Sequence, residues 1–134
     1  MKNRQNNRHK RGKAVLLFYN LNGSRGEPWK NAARQCGIAI RSIAPSEYEK
    51  EIRTLLEEPP SPGTGPALGF ADEMIVMASL PELTMDSFLR AAYAGGADRN
   101  VLKAVVTETN LMWTSYRLFM ELKREREALS QANR

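Results

Sequence analysis

The residues best suited to chemistry in this sequence lie in two polar loops. The first is Asn20-Leu21-Asn22-Gly23-Ser24-Arg25-Gly26, which precedes a helix signal at Pro28, and the second is Thr107-Glu108-Thr109-Asn110, which runs into Trp113. Backbone N–H groups at the start of a helix can hold a phosphate or a carboxylate. A small-ligand or anion site is therefore one interpretation of these loops, and capping of the helices that follow is the other.

Polar and aromatic side chains in and beside these loops are the candidate ligand contacts. A third loop begins at Ser79, after another apolar run, and Lys103 lies inside an apolar run of its own. A buried lysine needs a partner or loses its charge, whereas a lysine at the edge of a sheet can reach solvent. The candidate ligand-binding residues are Asn20, Asn22, Ser79, Lys103, Thr107, Asn110 and Trp113.

The same loops lack the patterns of several common active sites. The first loop has neither the Gly-Lys-Ser/Thr ending of a P-loop nor the glycine spacing of a dinucleotide-binding fingerprint. Glu27 would also repel an anion at the start of the helix. Neither loop carries a pair of carboxylates at general acid–base spacing. The sequence therefore predicts no catalytic residues and no cofactor, and it favours a protein that is not an enzyme.

Two single residues exclude further chemistries. Cys36 is the one cysteine and His9 the one histidine, so the chain cannot form an internal disulfide or assemble a structural zinc site. A lone thiol fits a reducing cytoplasm, and no apolar run is long enough to span a membrane. The short apolar run at residues 14–19 ends in turn residues, which is typical of a strand rather than of a signal peptide.

Alternating strand and helix signals indicate which elements position these loops. Apolar and β-branched runs predict strands at residues 13–19, 38–43, 73–80 and 101–107. Helices are predicted at residues 28–36, 46–58, 84–94 and 111–132. Ser46 and Glu49 have the spacing of a capping box, Thr84 is expected to cap the third helix, and Thr109 or Asn110 the fourth.

The element order β-α-β-α-β-α-β-α predicts a single α/β domain with a four-stranded, mostly parallel sheet flanked by four helices. The second strand is expected at an edge. In a parallel sheet the carboxyl ends of the strands gather at one edge, where ligands bind. The loops at Asn20, Ser79 and Asn110 are therefore expected to meet on a common rim.

The net charge of +5, from 20 basic and 15 acidic residues, is concentrated near the N-terminus. Residues 1–12 are predicted to be a disordered basic tail, and residues 13–134 a single domain with a Pro/Gly-rich loop at residues 59–69. The bases in residues 2–13 are Lys2, Arg4, Arg8, Lys10, Arg11 and Lys13. Such a tail can bind the phosphates of nucleic acid, although it has no aromatic residue for base stacking, and a solubility role is the alternative.

The C-terminal part of the sequence carries a recognisable pattern. Its residues are Glu73-Met74-Ile75-Val76-Met77, Leu89, Leu102-Lys103-Ala104-Val105-Val106-Thr107, Asn110, Trp113, and Leu118, Glu121-Leu122 and Glu125. Over residues 70–127 this pattern resembles a small bacterial family catalogued as domain of unknown function 3783. The resemblance implies a small cytoplasmic bacterial protein without an established activity, and it brings no catalytic residues. It makes Lys103, Thr107, Asn110 and Trp113 the first positions to test.

Three functions remain open at this point. The preferred one is a non-catalytic interaction or regulatory module that binds a protein partner or its own copy, because no catalytic set accompanies the polar loops. The second is a small-ligand or anion-binding domain, a sensor or an enzyme, that uses the loops after strands one and four. The third is nucleic-acid binding through residues 2–13. A cytoplasmic location and no membrane association are expected for all three.

Overall fold

The structure, a computed structural model, describes residues 12–61 and 69–132 and has four β-strands and four α-helices. They are β1 (Val15–Tyr19), α1 (Glu27–Gln35), β2 (Ala39–Ser42), α2 (Ile52–Glu57), β3 (Met74–Ala78), α3 (Glu82–Ala94), β4 (Leu102–Val105) and α4 (Ser115–Ala132). The predicted α/β class, with four strands and four helices, is confirmed. The predicted tail and Pro/Gly-rich loop lie outside the described residues apart from their ends, so they and the domain boundaries stay predictions.

The sheet is mixed, and the prediction of a mostly parallel sheet is wrong. The strand order is β2-β1-β3-β4; the outer pairs are parallel, but the central strands β1 and β3 are antiparallel, with Leu17 opposite Val76 at the centre. A strand covered on both faces has the same apolar composition in either direction, so this pattern could not fix the pairing. As a result, β1 and β2 end at one end of the sheet, and β3 and β4 end at the other.

Two hydrophobic layers hold the sheet between the helices. Because successive side chains of a strand point to opposite faces, Leu16 and Phe18 of β1 pack with α1 and α3, while Leu17 and Tyr19 pack with α2 and α4. The first layer centres on Trp29, whose ring lies 5.8 Å from that of Phe88. Burial of these large side chains removes apolar area from water on both faces, which is the main stabilising term.

The chain consists of two similar units. The first unit comprises β1, α1, β2 and α2, and the second comprises β3, α3, β4 and α4. Each begins with a five-residue strand, followed by a residue with positive φ, Asn20 (62°) in the first unit and Ser79 (60°) in the second. Each first helix ends at a glycine with positive φ, Gly37 (68°) or Gly96 (97°), a conformation that costs glycine little.

The same correspondence continues through the second strand of each unit. Ile43 donates its N–H to the carbonyl of Phe18 (2.9 Å), and Val106 donates to the carbonyl of Met77 (2.9 Å). An isolated antiparallel bridge then joins Glu51 to Thr114, just before α2 and α4. A pseudo-two-fold axis therefore runs through the Leu17–Val76 pair and relates the two units.

Three of the predicted helix starts are corrected by the structure. Residues 45–47 form a 3₁₀ turn and α2 begins only at Ile52, and the side chain that reaches back is that of Glu47, whose Oε1 accepts from the N–H of Ala44 at 3.3 Å. Serine and glutamate at capping-box spacing describe local sequence only, and the bridge at Glu51 delays the helix. The predicted box at Ser46 and Glu49 is therefore wrong.

The other two corrections concern α3 and α4. α3 begins at Glu82, so Thr84 lies within its first turn instead of capping it. α4 begins at Ser115, after a 3₁₀ turn at Asn110–Met112, and the hydroxyl of Thr114 accepts from the N–H of Arg117 at 3.1 Å. Thr114, rather than Thr109 or Asn110, thus caps α4. No helix in the described part of the chain is long and apolar enough to cross a membrane.

Candidate functional site

A groove of about 930 Å³ opens over one end of the sheet, on the face that also carries α2 and α4. Its floor is formed by strand side chains and is mostly apolar. The floor residues are Val15, Leu17, Ala39, Arg41 and Ala78. The groove lies where β1 and β2 begin and where β3 and β4 end. α2 is only six residues long and ends beside this part of the sheet.

The first wall of the groove is the C-terminal part of α2. Leu55 and Leu56 supply apolar surface there, and Arg41 ties the wall to β2. The Arg41 guanidinium donates to the carbonyl oxygens of Leu55 and Glu58, the latter at 2.9 Å. These are carbonyls at the end of a helix that have no partner within it, so Arg41 also caps α2.

A buried acid fixes the position of Arg41. Glu47 is only 4% exposed, and its Oε2 accepts from Nη2 of Arg41 at 3.0 Å. Its other oxygen accepts from the N–H of Ala44. A buried carboxylate is stable only when paired and hydrogen-bonded, and both conditions are met here. The ion pair therefore acts as a structural brace for the groove wall.

The second wall of the groove is the loop from Thr107 to Leu111. The N–H of Thr107 donates to Oδ1 of Asn110 (2.8 Å), and the N–H of Asn110 donates to Oγ1 of Thr107 (3.1 Å). Nδ2 of Asn110 also donates to the carbonyl of Val105 (3.0 Å). The loop thereby satisfies its own polar groups. Leu111 within the loop, and Val105 and Val106 directly before it, line the groove on this side.

Charged side chains surround the apolar floor. Glu57, Glu58 and Glu108 are exposed at the rim and form no ion pair with another described residue. On the basic side, Arg53 is paired with Glu51 at 2.7 Å, and that carboxylate raises the pKa of the guanidinium. Lys13 also lines the groove and forms no ion pair with another described residue. With three unpaired carboxylates against this one lysine, the rim carries a net negative charge among the described residues.

The structure brings together only some of the predicted site residues. Ser79 and Thr107 both line the groove. Asn20 lies at the opposite end of the sheet, because β1 runs antiparallel to β3. The predicted common rim for the loops at Asn20, Ser79 and Asn110 is therefore wrong.

Two of the candidates have structural partners. Nδ2 of Asn20 donates to the carbonyls of Phe70 and Asp72, both at 2.9 Å, and its Oδ1 accepts from the hydroxyl of Tyr48 at 3.2 Å. Asn110 is buried within its own loop. These hydrogen bonds account for both side chains without a ligand.

The remaining candidates lie away from the groove. Nζ of Lys103 donates to the carbonyls of Arg99 (3.1 Å) and Val101 (2.7 Å), and it lies 5.8 Å from the centre of the Tyr93 ring. Trp113 is half-buried against the second layer, and Arg117 lies over its ring at 4.3 Å. Asn22 is exposed in the first loop.

The first loop does not offer a free cation to an anion. The guanidinium of Arg25 contacts the carboxylate of Glu73, with Nε to Oε2 at 2.7 Å, and Nη2 donates to Asp98 at 2.9 Å. The N–H of Asn100 and then the guanidinium of Arg25 lower the pKa of Asp98, so the carboxylate stays ionised. Arg25 is thus neutralised by two acids, and the anion-site interpretation of this loop loses its main support.

Sequence reasoning missed the residues that shape the groove. Arg41 is the clearest case, because a single arginine within a short edge strand signals a side chain that needs partners. Leu56 and Val105 carried no signal beyond being apolar. Within the described ranges there is no cluster of His, Cys, Asp and Glu that could hold a metal ion. The groove is suited to binding through apolar contact and charge.

The comparison with family models agrees with the sequence pattern. Residues 73–129 match the model of the family described as Domain of unknown function (DUF3783), which confirms the predicted resemblance. The match spans β3, α3, β4 and most of α4, that is, the second unit. No curated protein and no solved structure matches the chain.

Proposed function

We propose that this protein is a non-catalytic interaction module that holds an apolar segment of a protein partner in the groove. The observation that carries the proposal is the groove itself, a space of about 930 Å³ beside the described residues. Val15, Leu56 and Leu111 line it as half-buried apolar side chains, and Leu17 and Ala78 lie buried at its base. A concave surface of this size with apolar lining and a polar rim is typical of a binding site.

The chemistry of the groove supports binding rather than catalysis. Its described ionisable groups are carboxylates on the rim, Lys13, an arginine braced by Glu47, and Arg53 paired with Glu51. None of these forms a nucleophile–base pair of the kind that covalent catalysis needs. Apolar floor and charged rim instead match the usual organisation of a protein interface.

Peptide selection on three proteins tests this function. A phage-displayed library of random peptides is selected on the wild-type chain, and the bound peptides are then measured against Leu56→Glu and Leu83→Glu. Leu83 is the matched control, since the same change is made at a leucine that is 80% exposed and lies outside the groove. We expect peptides that bind the wild type and Leu83→Glu and lose at least about tenfold in affinity for Leu56→Glu, whose side chain lines the groove on the α2 side.

The opposite results are equally clear. Peptides that bind all three proteins alike would show that the groove is not the binding site. An absence of selected peptides, together with a monomeric chain by light scattering, would remove the interaction function itself. A dimer that Leu56→Glu dissociates would identify a second copy of the chain as the partner.

A further inference from the structure

The two ends of the sheet differ in their aromatic content, and this difference indicates what the groove binds. At the opposite end of the sheet, the region equivalent to the groove is filled by aromatic rings, and we call it the filled counterpart. The ring of Phe70 lies there between Tyr48, with centroids 4.4 Å apart, and Phe119, with centroids 4.1 Å apart. Tyr19 completes the cluster at 5.8 Å from Phe70.

The pseudo-two-fold axis assigns an equivalent to each wall of the filled counterpart. Tyr19 ends β1 as Ala78 ends β3. The turn bond Ala44–Glu47 corresponds to the bond Thr107–Asn110, so the next residues, Tyr48 and Leu111, are equivalent.

The helices give the last pair of this comparison. α2 starts at Ile52 and α4 at Ser115, each directly after the Glu51–Thr114 bridge, so Leu56 is equivalent to Phe119. Ala78, Leu111 and Leu56 all line the groove. Three aromatic side chains of the filled counterpart, two from the first unit and one from the second, therefore correspond to smaller residues in the groove.

Among the described residues, the ring of Phe70 that fills the counterpart has no equivalent beside the groove. Phe70 comes from the segment that precedes β3, and Asn20 holds that segment by its two hydrogen bonds to the carbonyls of Phe70 and Asp72. Counted back equally from β1, the corresponding position is Arg11, which lies outside the described residues. A guanidinium cannot replace a phenyl ring on an apolar floor without a buried partner.

The negative charge of the rim indicates which residues flank the aromatic anchor in the bound segment. Glu57, Glu58 and Glu108 surround the apolar floor without ion pairs among the described residues. Basic groups that flank an apolar anchor would meet these carboxylates at the rim, where charge complementarity increases the association rate and the specificity.

We propose that the groove binds a partner segment in which an aromatic residue is flanked by lysine or arginine, and that this ring takes the place that Phe70 takes in the filled counterpart. This inference rests on the interaction function proposed above. Burial of one aromatic side chain removes roughly 150–250 Å² from water, which makes it an effective anchor for a short segment. The basic flanks contact Glu57, Glu58 and Glu108.

Titration with defined peptides tests the aromatic anchor. The probe is an acetylated, amidated Lys-Lys-Ser-Phe-Ser-Lys-Lys peptide, titrated into the full chain labelled with ¹⁵N. Matched peptides carry Leu or Ala in place of Phe, or Glu in place of every Lys. We expect the amide shifts of Val15, Ala78 and Thr107 to respond to the first peptide, and affinity to fall at least about tenfold for the Ala and Glu peptides.

The Leu peptide separates this inference from the function on which it rests. If Leu binds at the groove as tightly as Phe, the aromatic anchor is wrong and the interaction function stands. If the first peptide shifts no groove residue, the inference is overturned, and the function is then decided by the library selection with Leu56→Glu. Equal binding of the Glu peptide would contradict the role of the acidic rim.

A change within the chain provides an independent test. Arg11→Phe introduces a phenyl ring at the sequence position that corresponds to Phe70, and Arg4→Phe is the control with the same change earlier in the sequence. We expect Arg11→Phe to raise the melting temperature by roughly 3 °C or more and to weaken the Phe peptide at least about tenfold, while Arg4→Phe does neither. Full peptide binding by Arg11→Phe would overturn the proposed equivalence.

Two other possible occupants of the groove, the chain's own residues 2–11 and a second copy of the chain, have distinct outcomes. If the chain's own residues 2–11 filled the groove, their deletion would be required before the Phe peptide bound. If a second copy filled it, sedimentation would show a dimer that the Phe peptide dissociates. Either result would overturn a partner segment as the occupant.

Discussion

Asn20 and Ser79 occupy equivalent positions in the two units and lie at opposite ends of the sheet. Each follows the last residue of a central strand, and each has a left-handed backbone, with φ of 62° and 60°. Because the strands they follow are antiparallel, Asn20 and Ser79 lie at opposite ends of the β1–β3 pair. One of them secures the segment that carries Phe70, and the other borders the open groove.

The hydrogen bonds of Asn20 predict a large effect for a small change. In Asn20→Asp a carboxylate replaces the amide donor and faces the carbonyls of Phe70 and Asp72, which are both acceptors. We expect a loss of about 2 kcal/mol in the free energy of unfolding, measured by urea denaturation at pH 7. Asn22→Asp, the same change at an exposed position, should stay within about 0.5 kcal/mol of the wild type. Similar midpoints for the two variants would contradict this role.

The buried ion pair between Arg41 and Glu47 predicts that Arg41, in β2, contributes more to the free energy of unfolding than Arg53, in α2. Arg41→Ala removes the closer cation from the buried carboxylate of Glu47, which keeps only Lys50 at 3.9 Å, and it removes the hydrogen bonds that cap α2. We expect a loss of about 3 kcal/mol in the free energy of unfolding. Arg53→Ala removes an exposed ion pair with Glu51 and should cost about 0.5 kcal/mol or less. Equal losses in the two variants, measured by urea denaturation, would show that burial does not distinguish the pairs.

The buried side chain of Asn110 predicts a loss of stability on truncation. Asn110→Ala removes two side-chain hydrogen bonds, one from the N–H of Thr107 and one to the carbonyl of Val105, at a cost of about 2 kcal/mol. Thr109→Ala is the control, because Thr109 is exposed and its side chain makes no cap hydrogen bond. Thermal denaturation compares the two. An unchanged melting temperature for Asn110→Ala, with binding lost, would instead identify a direct ligand contact.

The buried phenol of Tyr19 predicts a loss of stability at high pH. Burial raises the pKa of Tyr19 well above its ordinary value, and its hydroxyl pairs with that of Ser115 at 2.6 Å. Below about pH 10 the phenol is neutral in both states, whereas above it the unfolded chain ionises and the folded chain does not. The free energy of unfolding therefore falls as pH rises above about 10. Urea midpoints between pH 8 and 11 should fall less steeply in Tyr19→Phe, and parallel slopes would contradict the assignment.

The local elements of the fold could be predicted because each has a strong local signal. The apolar run before Asn20 gave β1, and Gly37 marked the end of α1 through its positive φ. The direction of β3 relative to β1 depends on packing between distant segments and has no such signal. The delayed starts of α2 and α4 depend on the bridge between Glu51 and Thr114, which is also a long-range contact.

The groove was beyond prediction for the same physical reason. Ser79 and Thr107 were identified as polar residues after strands, and both do border the groove. The floor and walls, however, consist of apolar residues such as Ala78 and Leu56, whose significance appears only beside the aromatic residues that replace them in the other unit. Their equivalents Tyr19 and Phe119 become comparable only once the pseudo-two-fold axis is known.

The most direct test of the account is the position of a bound aromatic ring. Intermolecular nuclear Overhauser effects are measured between the Phe ring of the Lys-flanked peptide and the methyl groups of the labelled full chain. The account predicts contacts from the ring to Val15, Leu17 and Ala78 on the groove floor. Contacts only to the exposed methyls of Leu83 or Leu129, which lie outside the groove, would contradict it.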